Sequence, residues 1–161
     1  MTTVYLVRHA HAGDRSGWKG SDLERPLSPK GRAQAVGLFE LIGDTEIVRV
    51  ESSPATRCVQ TVEPLAEAHY LPVKERASLF EGSSVPGAVD DLLVLASRTK
   101  GKAAVMCSHG DMIPKMVRYL MQLGMETPDP AVSSKGSVWA LRVKDGRVVS
   151  GRYHEPAAVD T

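Results

Sequence analysis

The chain has 161 residues, 42% of them hydrophobic and 24% charged, with a formal net charge of +1. That length suits a single domain, residues 1–161, with a core of its own. The near-neutral balance excludes a global field for gathering a nucleic-acid polymer or an anionic membrane, so any anion specificity rests on a few placed basic residues.

Residues 3–8 read as a short β-rich strand. Its apolar part, Val4-Tyr5-Leu6-Val7, is broken by Arg8 and is too short for a secretory core. No apolar run approaches membrane-spanning length, and a cytoplasmic protein is expected. From Ala10 to Leu27 the chain is polar and without periodicity, and loops of that length in compact domains are usually functional. Ser28-Pro29 predicts a helix start, with serine as N-cap and proline at the first helical position. Ala35, Leu38, Phe39 and Ile42 form its apolar face, and Gly43-Asp44 ends it. Ile47–Val50 predicts a second strand. Ser53-Pro54 repeats the cap-and-proline pattern before a helix running toward His69, with Pro64 kinking or dividing it.

Leu71-Pro72-Val73 reads as a short edge strand, and residues 87–98 as a helix with Val89, Leu92, Leu93 and Ala96 on one face. Ala103–Cys107 is a continuous apolar run, as expected of a strand buried on both faces. Gly110 precedes a helix carrying Ile113, Met116, Val117 and Leu120. Val138–Val143 and Arg147–Tyr153 flank Asp145-Gly146, a two-residue hairpin signal. Strands alternating with helices predict an α/β fold with a mainly parallel sheet, closed by an antiparallel C-terminal hairpin strand. Cys58 and Cys107 fit no metal-ligand or redox spacing and read as reduced core residues.

In open α/β sheets the ligand site lies beyond the C-terminal strand ends, next to helix N-termini. Arg8-His9, the segment Ser52 to Arg57, Glu81 and Ser108-His109-Gly110 all fall at such places. Two arginines and two histidines there make an anion site, and arginine's planar fork suits phosphate oxygens. An unprotonated His9 can attack phosphorus and form a phosphoenzyme. Arg8 and Arg57 are expected to hold its pKa down. His109 is placed to donate to a phosphate oxygen, and Glu81 to protonate the leaving oxygen and later activate water. Arginine and histidine supply the positive charge a metal would bring, so no metal or cofactor is expected.

These motifs resemble the histidine phosphatase superfamily, the branch that includes phosphoglycerate mutases. The likeness is carried by Leu6-Val7-Arg8-His9-Ala10, Glu24 to Gly31, Ser52-Ser53-Pro54 through Arg57, Gln60-Thr61, and Ser108-His109-Gly110. Most similar are the small bacterial phosphohistidine phosphatases and the phosphatase-like domain that follows a Nudix domain in some mycobacterial nucleotide hydrolases. The resemblance implies a three-layer α/β/α, phosphoglycerate mutase-like fold. It also implies that His9 is phosphorylated in a pocket formed by Arg8, Arg57 and His109, with Glu81 as proton donor. Ala10 stands where glycine is more usual, and the large insertions of the sugar-phosphate mutases are absent.

The expected partner is a phosphorylated small molecule or a phosphohistidine protein. The alternatives are a phosphomutase and a catalytically idle phosphate-binding domain. Lys19 and Arg25, in the long loop, are candidates for a substrate-reading rim, and Asp14 is a reserve acid. Trp18 reads equally as a pocket wall or a loop anchor. His11 reads as an incidental loop histidine, and Trp139 as core.

Overall fold

The computed structural model describes residues 1–42 and 45–158. Its centre is a six-stranded sheet built from β1 (Thr2–Arg8), β2 (Ile47–Ser52), β3 (Val73–Glu75), β4 (Ala103–Ser108), β5 (Val138–Lys144) and β6 (Arg147–His154). The strand order is β3-β2-β4-β1-β5-β6. The first four run parallel, while β5 lies antiparallel to β1 and β6 antiparallel to β5. The antiparallel part is therefore a whole hairpin and not one strand. Asp145 and Gly146 turn it, both at positive φ, as the tight hairpin turn for an Asp-Gly pair requires.

Helices α1 (Pro29–Ile42) and α2 (Thr56–Ala68) cover one face of the sheet; α3 (Val85–Thr99) and α4 (Met112–Gln122) cover the other. β4 shows why both faces must be apolar. Ala103, Val105 and Cys107 point into the core with α1 and α2, whereas Ala104 and Met106 point into the core with α3 and α4. All six residues of β4 are buried, the signature of a parallel strand covered on both faces.

Several predicted boundaries move, each for a local reason. Ser28 does cap α1, its Oγ accepting from Gly31 N–H at 3.1 Å. Gly43-Asp44, the predicted stop, lies outside the described residues. Phe39 is exposed, and the buried face of α1 is Gly31, Gln34, Ala35, Leu38 and Ile42. Ser53 does not cap α2: the N-cap is Ala55, without a side-chain hydrogen bond. The Ser53 hydroxyl is drawn instead to His109.

α2 continues unbroken through Pro64. The cost of an interior proline, ~3 kcal/mol, is offset by an inward face that includes Cys58, Val62, Leu65 and Ala66. β3 starts at Val73, after Pro72, because a proline has no N–H to give a ladder. α3 starts at Val85, earlier than its periodicity suggests, because Ser84 caps it by accepting from Gly87 N–H. No helix among the described residues is long and apolar enough to cross a membrane.

Candidate active site

Three adjacent parallel strands end together. The register pairs Arg8 with Ser108 and Ser52 with Cys107, so the residues that follow β1, β4 and β2 emerge side by side. His9, His109 and Ser53 therefore meet although they are far apart in sequence. The His9 and His109 rings stand edge to face, their centroids 5.5 Å apart. Both rings, with Arg8, Arg57 and Glu81, line a cavity of about 350 Å³. Lys19 does not reach this cavity. Arg25 does, but its guanidinium is turned onto Asp22 and the Ala12 carbonyl at 3.0 and 2.9 Å, fastening the loop.

His9 is held in one tautomer. Its Nδ1 lies 2.8 Å from the Ala10 carbonyl, which can only accept, so Nδ1 carries the hydrogen and Nε2 keeps its lone pair. The Ala10 N–H is in turn fixed by Thr61 Oγ1 at 2.9 Å, and Thr61 Oγ1 donates to the Arg57 carbonyl at 2.7 Å. The Gln60-Thr61 motif thus ties the His9 segment to α2, while Gln60 Oε1 accepts from Leu27 N–H and fixes the end of the long loop.

His11 has a structural place in the same frame. Its Nδ1 meets Ser28 Oγ at 2.6 Å, and its carbonyl accepts from Ser28 N–H at 3.0 Å, joining the two ends of the loop.

The His9 imidazole is pushed down from 6.5 to about 3. Burial is the largest cause, partly opposed by the Ala10 hydrogen bond, with His109, Arg57 and Arg8 adding in the same downward direction. The arginines expected to set this value are secondary to desolvation. Since the unfolded histidine stays near 6.5, the unfolded chain binds the extra proton between pH 3 and 6.5. The stability contribution is full above pH 6.5 and falls as pH drops through that window. At pH 5 the loss is about 2 kcal/mol relative to pH 8. His9→Asn should therefore show a flatter decline in Tm between pH 8 and pH 4.5 than the native chain. A parallel decline would contradict the assignment.

His109 Nε2 is shared between Ser53 Oγ at 2.9 Å and Cys58 Sγ at 3.6 Å. Ser53 Oγ also accepts from Ala55 N–H at 3.3 Å. Its own hydrogen is thereby free for Nε2, which leaves Nδ1–H of His109 as a donor. Three buried nitrogens around the cavity, Arg8 Nε, Arg57 Nε and His109 Nδ1, have no hydrogen-bond partner among the described residues. Buried donors of this kind are normally satisfied, and unpaired ones point to a ligand.

Arg8 is held by the Ser133 carbonyl at 2.7 Å and lies across Gly110. A Cβ at position 110 would stand 2.5 Å from Arg8 Cζ, so only glycine lets the guanidinium pass. Burial lowers the Arg8 pKa from its ordinary value, an effect countered by Tyr153 and Asp111.

Arg57 is 1% exposed. Its Nη1 donates to the Asp22 carbonyl at 2.8 Å, and its Nη2 reaches Glu81 Oε1 at 2.9 Å and Asp22 Oδ2 at 3.4 Å. Glu81 is accordingly oriented at the cavity wall. Asp14 lines the same wall, its carboxyl accepting from Ser16 N–H at 3.0 Å. Asp22, a single acid in an aperiodic loop, carries no sequence signal for its place beside Arg57. Arg15, Asp111 and Lys135 line the cavity too, and none stands out in the sequence. Among the described residues, no group of three or more His, Cys, Asp or Glu side chains is arranged to hold a metal ion.

The profile described as histidine phosphatase superfamily (branch 1) matches residues 4–84. The 8-oxo-(d)GTP phosphatase of Mycolicibacterium smegmatis is 33% identical over 157 residues, covering 96% of this chain and 48% of that protein. An uncharacterised Mycobacterium tuberculosis protein is 36% identical over 94 residues, covering 53% of this chain and 46% of its own length. The chain thus spans about half the length of the curated relatives it matches. Among solved structures, the protein histidine phosphatase SixA complexed with tungstate superposes with a TM-score of 0.72 at 22% identity, covering 94% of each chain. Bacillus stearothermophilus YhfR gives 0.74 at 18% identity, covering 92% of this chain and 94% of that one. The structural likenesses establish a shared three-layer α/β/α, phosphoglycerate mutase-like fold.

Proposed function

This chain belongs to the histidine phosphatase superfamily, branch 1, and on that premise we propose that it acts as one phosphatase domain hydrolysing a phosphate monoester or phosphoramidate through phospho-His9. The observation that carries this reading is the ring of unpaired buried donors, Arg8 Nε, Arg57 Nε and His109 Nδ1, around a histidine whose Nε2 is unprotonated.

In the first step His9 Nε2 forms a bond to phosphorus as the bond to the leaving atom breaks. Glu81 hands that atom a proton. In the second step Glu81 takes a proton from water as the water oxygen bonds to phosphorus and the N–P bond breaks, releasing inorganic phosphate. Arg8, Arg57 and His109 hold the phosphoryl oxygens, where charge is greatest in the transition state. Glu81 is favoured over Asp14 as the acid because its carboxylate is fixed by Arg57, whereas Asp14 is spent on capping its own turn. Phosphate transfer within one metabolite has no separate observation in its favour.

Among substrate classes, the relative that covers nearly the whole chain is named for 8-oxo-(d)GTP, which supports a nucleotide. Rapid acid-free denaturation during turnover of a labelled aryl phosphate, in excess chelator, should trap one acid-labile, alkali-stable phosphoryl group per chain. Turnover that stops in chelator, or hydrolysis without any trapped label, would overturn the mechanism.

A further inference from the structure

Beside the cavity at His9 lies a second one of about 300 Å³, walled by Gly17, Trp18, Pro26 and Leu27. The two share Ala12, Gly13, Asp14 and Arg25, so they are contiguous. Trp18 is 38% exposed, whereas the chain's other tryptophan, Trp139, is fully buried. The Trp18 indole is nevertheless fixed. Its N–H donates to the Ser21 carbonyl at 2.8 Å, and Gly20 approaches so closely that a Cβ there would stand 3.1 Å from the ring. A rigid aromatic wall with apolar neighbours is thus held open next to a phosphate site. Besides Arg8 and Arg57 the phosphate cavity has Lys135 in its lining, while Arg15, also at its wall, is paired with Asp22 at 3.2 Å and lies 3.8 Å from Glu81.

We propose that the Trp18 cavity receives the planar base of a nucleoside diphosphate whose terminal phosphate lies at His9, which makes Trp18 a specificity-determining residue. The proposal rests on the phosphatase reading above. The indole supplies a stacking surface that every base satisfies, Pro26 and Leu27 supply the apolar floor, and Lys135 supplies charge for the second phosphate. The bond broken is between the terminal phosphorus and the bridging oxygen. The nucleoside monophosphate leaves with that oxygen, and the phosphoryl group passes to His9 and then to water.

Stacking of one base on an aromatic side chain is worth about tenfold or more in binding. The four common ribonucleoside diphosphates should therefore show kcat/KM at least about tenfold above that of ribose 5-diphosphate, which lacks only the base. Trp18→Ala should bring that ratio near one, and Trp18→Phe should retain most of it. A ratio near one in the native chain would overturn the proposal. So would a Trp18→Ala variant that loses both substrates in parallel, as expected if Trp18 only anchors the loop. If no phosphate compound is turned over, an aryl phosphate included, the phosphatase reading fails, and fluorescence then decides the base site separately. Emission from Trp18 should be quenched by a nucleoside diphosphate and not by ribose 5-diphosphate, with the response absent in Trp18→Phe. No base-dependent quench in the native chain would exclude the site.

Discussion

Replacing His9 with Ala is expected to lower turnover of every phosphate substrate by about four orders of magnitude or more, as for other nucleophiles acting within a unit. The trapped phosphoryl label should vanish with it. Binding of inorganic phosphate should survive within about tenfold, because Arg8, Arg57 and His109 are untouched and supply the charge-assisted hydrogen bonds. The two readouts separate chemistry from folding. A variant that still turns over, or that carries the label elsewhere, sinks His9 as nucleophile. A variant that keeps its Tm near the native value at neutral pH but binds no phosphate would mean that the ring positions the oxyanion and does not attack it. The acid-side behaviour offers a further control. His9 is 7% exposed and neutral far below the usual histidine range, so its removal should make the fold less sensitive to pH 5 even as activity disappears.

The meeting of His9, Arg57 and His109 was legible in the sequence because each follows, or closely follows, a strand whose apolar run can be read, and parallel strands bring their ends to one edge. Side chains whose partners lie outside that logic were not legible. Ser53 looked like a helix cap, yet its hydroxyl is taken by a histidine 56 positions away. Cys58 read as plain core, and it is buried, but it also touches His109 Nε2.

The long loop resisted most. Its two single turns of 3-10 helix, Arg15–Gly17 and Asp22–Glu24, have no periodicity from which to tell inward from outward. In sequence Lys19 and Arg25 are equal candidates for that reason. Arg25 reaches the cavity wall but folds in to hold the Ala12 and Gly13 carbonyls, and Arg15 lines the cavity where Lys19 does not.

Arg57→Lys should cost about 10²–10³ in kcat/KM, the range seen when one transition-state donor is removed, while leaving the fold closer to native than Arg57→Ala does. The geometry separates the two substitutions. Arg57 uses Nη1 on the Asp22 carbonyl and Nη2 on Glu81 and Asp22, and its buried Nε has no partner among the described residues. One guanidinium thus ties the loop, orients Glu81 and lines the cavity, three tasks at once. A lysine keeps the charge but is a single point, and it cannot serve three directions with a rigid fork. Arg57→Ala removes the charge as well, leaving the exposed Arg15 as the cation between Asp22 and Glu81.

Those carboxylates are each about a third exposed. Solvent therefore screens their repulsion, and the expected destabilisation is smaller than the 3–5 kcal/mol of breaking a fully buried pair. Affinity for inorganic phosphate should fall in the order native, Lys, Ala, whereas Tm should drop mainly in Ala. Equal Tm losses in both variants, with phosphate affinity intact in Lys, would make Arg57 a loop anchor that takes no part in holding the transferred phosphate.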